Sequence, residues 1–194
     1  MDLLQLCALS FEQILPYQYH IIAGRKGKII DFIITFDQAD FHHLAGLHKL
    51  KDNIRFLTGK RSNILKEILS GKLTLSHAQQ SNFYNEIQIR LTPLLELESF
   101  LDSNEIIFRY NRKLHKFSLM QADYLLQNNY QDQDIYLFLT ARSETNIQVC
   151  RSFFPKKELD YSKGQPRYTL LKKEKINTKT GNIEIQFDKL TQKK

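Results

Sequence analysis

The sequence predicts an α+β fold: N-terminal helices and a hairpin packed on a curved, mostly antiparallel β-sheet formed largely by the C-terminal half. Three observations carry this. Apolar residues recur at helical spacing through much of the N-terminal half. The C-terminal half changes to short β-branched and aromatic runs separated by turn residues. No Pro/Gly-rich linker or fixed-period repeat divides the chain, and 42% hydrophobic residues with only 7 Gly and 4 Pro suffice for a core. Residues 1–194 are therefore expected to form one domain.

Taken in order, Leu3, Leu4, Leu6, Cys7, Leu9, Phe11, Ile14 and Leu15 outline a first helix ended by Pro16. YQYHIIAG and KIIDFIITF, joined by a turn at Gly24–Gly27, predict a hairpin with a basic tip of Arg25, Lys26 and Lys28. Asp37 is placed to cap a helix over 38–50, with Asp40 in its first turn. A second helix is predicted over Arg61–Leu69, stopped near Gly71. A third and longer one runs from Thr74 or Ser76 through SNFYNEIQIRLTPLLELESFL, kinked or divided at Pro93. EIIFRY, IYLFLT, IQVCRSFF, RYTLLKKEK and IEIQF predict strands, with a hairpin turn at Thr180-Gly181-Asn182. Between the first two of these, SLMQADYLLQNN predicts a helix capped by Ser118.

Charge narrows the partners. Twenty-eight Lys+Arg against 21 Asp+Glu give +7, which favours polyanions through phosphate neutralisation and counterion release. The basic residues concentrate in 49–72 and 151–175, with a small tail at Lys194, and folding can merge the two tracts into one surface. Cys7 and Cys150 lack metal-type spacing and are expected as buried thiols in a reduced compartment. The start MDLLQLCALSFEQIL has no basic n-region, and no run approaches the length of a membrane span, so a cytoplasmic protein without membrane contact is expected. No feature fixes an oligomeric state. Walker loops, G-x-G-x-x-G, nucleophile elbows and CxxC pairs are all missing, which counts against nucleotide hydrolysis, dinucleotide chemistry, serine hydrolysis and zinc ribbons.

One segment concentrates chemistry: Asp40–Lys51, DFHHLAGLHKLK. On a continuous helix, Phe41, Leu44, Ala45, Leu47 and Leu50 form the core stripe. His42, Gly46 and Lys49 fall on another face, His43 borders the stripe beside Leu47, and His48 lies one turn beyond Leu44. The three histidines then cannot all face one site, so His43 is the leading candidate and His42 the bystander. Imidazoles exchange protons near neutrality. Cleavage of RNA by its own 2′-hydroxyl needs a base, an acid and positive charge on the phosphorane-like transition state. Lys49 and Lys51 add that charge. His43 and His48 stand five apart with no Glu between them, unlike the helix of HExxH zinc enzymes, and no metal is expected.

The stretch CRSFFPKKELDYSKGQPRY interleaves aromatics with basic residues, a pattern suited to base stacking beside phosphate contacts. Ser152 and Arg151 suit phosphate contact, and Tyr161 and Gln165 suit a base edge or the scissile phosphate. Phe153 and Phe154 are expected as strand residues split between core and surface. In LLKKEK, Lys172 and Lys173 point to opposite faces, so one at most reaches a shared site, and Lys172 is the candidate. Glu86, Arg90, Glu96 and Glu98 form a solvated helix face without a role.

The ordered set DFHHLAGLHKL after a hairpin, then FYNEIQIRL, SLMQADYLL, YLFL, CRSFFP and DYSKGQ resembles the phage-associated branch of the Barnase–EndoU–colicin–RelE nuclease-like superfamily, over about 32–175. In the HLxGL motif of that branch the histidine falls on His43, followed by Leu44, Gly46 and Leu47. The SFFP segment supplies Ser152, and the later tyrosine and glutamine fall on Tyr161 and Gln165. The resemblance implies helices on a curved antiparallel sheet and a metal- and cofactor-independent endoribonuclease that leaves a 2′,3′-cyclic phosphate. It also implies a toxin or phage-conflict setting, with RNA as substrate and an antitoxin or immunity protein as partner. On this reading His43 and His48 share the acid and base roles, Lys49 stabilises the phosphate, Ser152 and Gln165 orient it, and Tyr161 holds the substrate. Arg151 and Lys172 add contacts. The alternative expectation is a non-catalytic nucleic-acid- or protein-binding module of phage or mobile-element origin.

Overall fold

Pro16 ends the first helix where the sequence places it. Helix α1 runs Leu3–Ile14, opened by an Asp2–Gln5 capping box, and buries Leu4, Cys7, Ala8, Phe11 and Ile14. The hairpin follows as β1, Tyr17–Arg25, and β2, Lys28–Thr35, turning through Lys26 and Gly27 at φ of 48° and 78°. The computed structural model describes residues 1–103, 106–115, 118–142 and 145–191, and the Lys194 tail lies outside them.

The helical region is more broken than its periodicity predicts. Helix α2, Asp40–Leu44, gives way to a 3-10 turn at Leu47–Lys49 and a one-turn helix α3, Ile54–Leu57. Helix α4, Arg61–Leu69, matches the prediction and stops before Gly71 at φ +77°. The predicted long third helix is three pieces: α5, Leu75–Gln79, capped by Thr74; α6, Asn85–Leu94; and α7, Leu97–Ser103. Pro93 sits in the last turn of α6, and beyond it Leu95 keeps right-handed helical dihedrals while a tighter turn at 95–96 separates α6 from α7.

The strands are β3, Ile106–Arg109; β4, Tyr124–Tyr130; β5, Gln133–Ala141; β6, Ile147–Pro155; β7, Arg167–Asn177; and β8, Ile183–Asp188. The helix expected over SLMQADYLLQNN does not form. Ser118–Ala122 carries no regular structure, and the rest is β4, paired with β5 from Tyr124↔Leu139 to Tyr130↔Gln133. Tyr124 and Leu126 join one core while Leu125 joins another. A strand buried on both faces reads as a continuous apolar run, which periodicity cannot tell from a helix.

The predicted curved sheet is instead a closed, mixed seven-stranded barrel with β8 as an extra strand, ordered β1-β2-β6-β5-β4-β3-β7 and closed by β1–β7. The hairpin is therefore part of the barrel and not a cover over it. One edge of β7 pairs with β1 from Thr169 to Asn177. The other edge is shared, β3 taking 167–169 and β8 taking 172–176. Among the described residues, the one parallel pairing joins Ile33–Thr35 of β2 to Ile147–Val149 of β6. Closure removes the exposed strand edges that an open sheet would leave.

Alternation along β5 assigns the two cores. Ile135, Leu137 and Leu139 join the larger one with α1, α2 and α6, while Tyr136 and Phe138 join a smaller aromatic one with Phe108, Tyr110 and Phe154. Phe153 and Phe154 are thus split between two cores, not between core and surface. Helices α2 and α6 both pack on β6, and the candidate site lies where these three meet. Among the described residues no helix is long and apolar enough to cross a membrane.

Candidate active site

The DFHHLAGLHKLK segment breaks where a continuous helix would carry Gly46. That residue takes φ +76°, left-handed backbone that costs an L-residue roughly 1–2 kcal/mol and glycine little. The 3-10 turn then restarts in a new direction. As a result all three histidines converge, with ring centroids 5.7 Å (His42–His43), 5.0 Å (His43–His48) and 6.1 Å (His42–His48) apart. This corrects the expectation that they cannot share a site.

His42, expected as a bystander, is the most enclosed of them. Its Nε2 donates to the Phe56 carbonyl at 2.8 Å, so Nδ1 carries the lone pair, buried and without a partner. His43 accepts from the Arg61 guanidinium at Nε2, 2.7 Å away. Burial first, then Arg61, His48 and Arg151, pushes the His43 pKa down to about 4. Burial first, then Arg90, His42 and Lys49, brings His48 to about 4 as well. All three are neutral at pH 7, since burial lowers His42 too.

The residue that organises the site is one sequence reasoning set aside. Arg90, assigned to a solvated face, is buried on α6. Its guanidinium donates to Ser152 Oγ and the Phe153 carbonyl, each at 3.3 Å, and lies 4.9 Å from the Phe154 ring centre. Its Nε has no partner, and among the described residues it makes no ion pair. Burial pushes its pKa down to about 10. Desolvating a cation without a counter-ion costs several kcal/mol, and this guanidinium carries that cost with only two long hydrogen bonds in return. Gly46 makes room for it: a Cβ on that residue would lie 2.8 Å from Arg90 Cδ. The signal was available, because Arg90 stands three after Ile87 and four before Leu94, inside the apolar stripe of α6.

Strand β6 supplies the opposite wall. The β5–β6 register jumps from Phe138↔Ser152 to Leu139↔Cys150, leaving Arg151 as a bulge. In a regular strand Arg151 and Ser152 would point to opposite faces, yet both line one cavity, because a bulge re-aims its side chains. The cavity, about 670 Å³, is also lined by His48, Lys49, Arg90, Lys157, Tyr161, Phe154 and Met120. Four fixed cations and a neutral imidazole thus face one opening.

Of the predicted residues, the structure gathers His48, Lys49, Arg151, Ser152 and Tyr161 around the cavity, with His43 behind His48. Lys49 is paired to Glu86 at 2.8 Å, which reduces its charge toward a ligand. Gln165 and Lys172 are not brought in. The Gln165 amide both accepts from Asn111 N at 2.8 Å and donates to Asn111 O at 3.2 Å, clasping a loop. Lys172 pairs with Glu174 at 2.7 Å on β7. Lys157 and Arg61 were missed, each an exposed basic residue indistinguishable in sequence from a solubilising one.

The chain belongs to the family described as phage-Barnase-EndoU-ColicinE5/D-RelE like nuclease 4, whose model matches residues 3–190. It is therefore a member of a phage-associated nuclease family, and the match extends past the 32–175 region that carries the resemblance. No curated protein and no solved structure matches the chain.

Proposed function

We propose that the protein is a metal-independent endoribonuclease whose centre is the Arg90 cavity. The observation that carries this is the buried, unpaired Arg90 guanidinium beside a convergent histidine cluster, within a nuclease family. A phosphodiester seated on Arg90, Arg151 and Lys157 places its negative charge beside His48. That charge raises the imidazole pKa values from about 4 toward neutrality, since an anion within about 4–6 Å favours the protonated form. One of His43 and His48 takes the 2′-hydroxyl proton as the 2′-oxygen bonds to phosphorus. The other delivers a proton to the 5′-oxygen as its bond to phosphorus breaks, leaving a 2′,3′-cyclic phosphate. Arg90 and Lys49 stabilise the dianionic transition state, with Ser152 orienting a phosphate oxygen and Tyr161 stacking on a base. A toxin or phage-conflict role, opposed by an antitoxin or immunity protein, belongs to the same proposal.

The test is incubation of purified protein with mixed RNA in EDTA, beside His48→Ala and Arg90→Met. Cleavage by the parent chain, reduced about 100-fold or more in both variants, is expected. Salt-sensitive binding without turnover would favour a non-catalytic binding module instead.

A further inference from the structure

The histidine cluster has the makings of a second, inorganic site. His42, His43 and His48 each place a ring nitrogen within 4.8 Å of the others'. Nitrogens on one tetrahedral metal stand about 3.4 Å apart when the metal–nitrogen bonds are about 2.0–2.1 Å, so small ring rotations close the difference. Two further observations point to a ligand. His42 is 4% exposed, and its lone-pair nitrogen, Nδ1, has no partner; His48 Nδ1 is likewise buried and unpartnered. The other nitrogen of His42 donates to a backbone carbonyl at 2.8 Å, the second-shell bond that fixes tautomer and ring orientation in metal-binding histidines.

We propose that these three histidines form a binding site for a borderline transition-metal ion such as Zn²⁺ or Co²⁺, and that its occupation blocks the nuclease centre. Imidazoles without carboxylates select this class over Mg²⁺ or Ca²⁺, which require oxygen ligands. The ligands come from α2 and from the 3-10 turn after Gly46, so the missing i, i+4 spacing of zinc helices is no obstacle. Arg61 is the competitor: its guanidinium holds His43 Nε2 at 2.7 Å and must release that nitrogen, or force a tautomer change, for the third bond to form. Arg61, Arg90, Arg151 and Lys49 all surround the cluster and oppose a dication, so an anion or hydroxide from the cavity side completes the coordination. The blocking effect rests on the proposed nuclease reading, because a metal on His43 and His48 removes the lone pairs that move protons. Metal binding itself does not depend on it.

The experiment separates the two. Chelator-stripped protein is titrated with Co²⁺ in the absence of RNA, following visible absorption, and Zn²⁺ is then added. One equivalent of Co²⁺ with a low-coordinate spectrum, displaced by Zn²⁺, is expected. The signal should vanish in His42→Ala and His48→Gln, and affinity should rise about tenfold in Arg61→Ala. A spectrum that is absent, or unchanged in a folded His48→Gln protein, overturns the site whatever the cleavage result. Zn²⁺ bound at one equivalent without slowing RNA cleavage overturns the blocking role alone, provided that cleavage in EDTA has been observed.

Discussion

At the scale of single residues, a buried charge retained without a partner indicates work outside the fold. Arg90 makes two 3.3 Å hydrogen bonds and no ion pair, and its burial opposes its own charge. Desolvation of a buried cation costs several kcal/mol, which offsets its two long hydrogen bonds, so an apolar side chain of similar volume can replace it at little cost. Arg90→Met is therefore expected to keep or raise the melting temperature while abolishing cleavage, and a thermal melt beside an RNA assay checks both. The histidines make a separate prediction. The folded pKa values of His43 and His48, about 4, lie below the ordinary value of 6.5. Between pH 6.5 and 4 the unfolded chain thus binds more protons, so their contribution to stability is full above about 6.5 and lost as pH falls through that window. Asp40, raised to about 6 chiefly by burial, works in the opposite sense over 3.8–6. The comparison is therefore between the parent chain and His43→Ala. The variant should show a flatter fall in melting temperature from pH 7 to 4.5; equal slopes would contradict the depressed pKa.

At the scale of elements, the site depends on two departures from regularity: the left-handed break at Gly46 and the bulge at Arg151. Gly46→Ala combines a positive φ with a 2.8 Å approach to Arg90 Cδ. A loss of about 1–2 kcal/mol in stability is expected, with a larger fractional loss of cleavage because Arg90 must move, read by denaturant melts beside kinetics. These irregularities also explain what the sequence discloses. The hairpin, α1 and α4 were legible, since each is bounded by local signals such as Pro16, Gly27 and Gly71. His43, His48, Ser152 and Arg151 were legible as residue types in basic surroundings. Their assembly was not, because a glycine inside an apolar pattern reads equally as a tolerated helical residue or as a break. A bulge leaves no mark on composition, and the two-sided burial of β4 hides its period.

At the scale of the whole molecule, the fold brings Lys49 from the first basic tract together with Arg151 and Lys157 from the second around one cavity, while Lys172 stays on β7. A second groove, about 940 Å³, lies across the Ser118–Ala122 segment and carries Arg109, Arg112 and Lys113. Arg112 donates to the Ser118 carbonyl at 3.2 Å and so ties that segment to the groove. On the proposed nuclease reading, an RNA strand held at Arg90 is expected to continue over this basic surface. Lys113→Ala is expected to weaken RNA binding several-fold and lower the salt slope by about one, with turnover of bound RNA unchanged, as salt-dependent titrations would register. On the proposed nuclease reading, the Arg90 cavity directs attack by a 2′-hydroxyl. This attack is tested most directly by one RNA oligonucleotide carrying a single 2′-deoxy substitution at the mapped cleavage position, digested in EDTA with end-group analysis. A 2′,3′-cyclic phosphate on the all-ribose strand and no cut at the substituted position are expected. Unchanged cleavage at the 2′-deoxy position, or a linear phosphate as the first product, would contradict that reading.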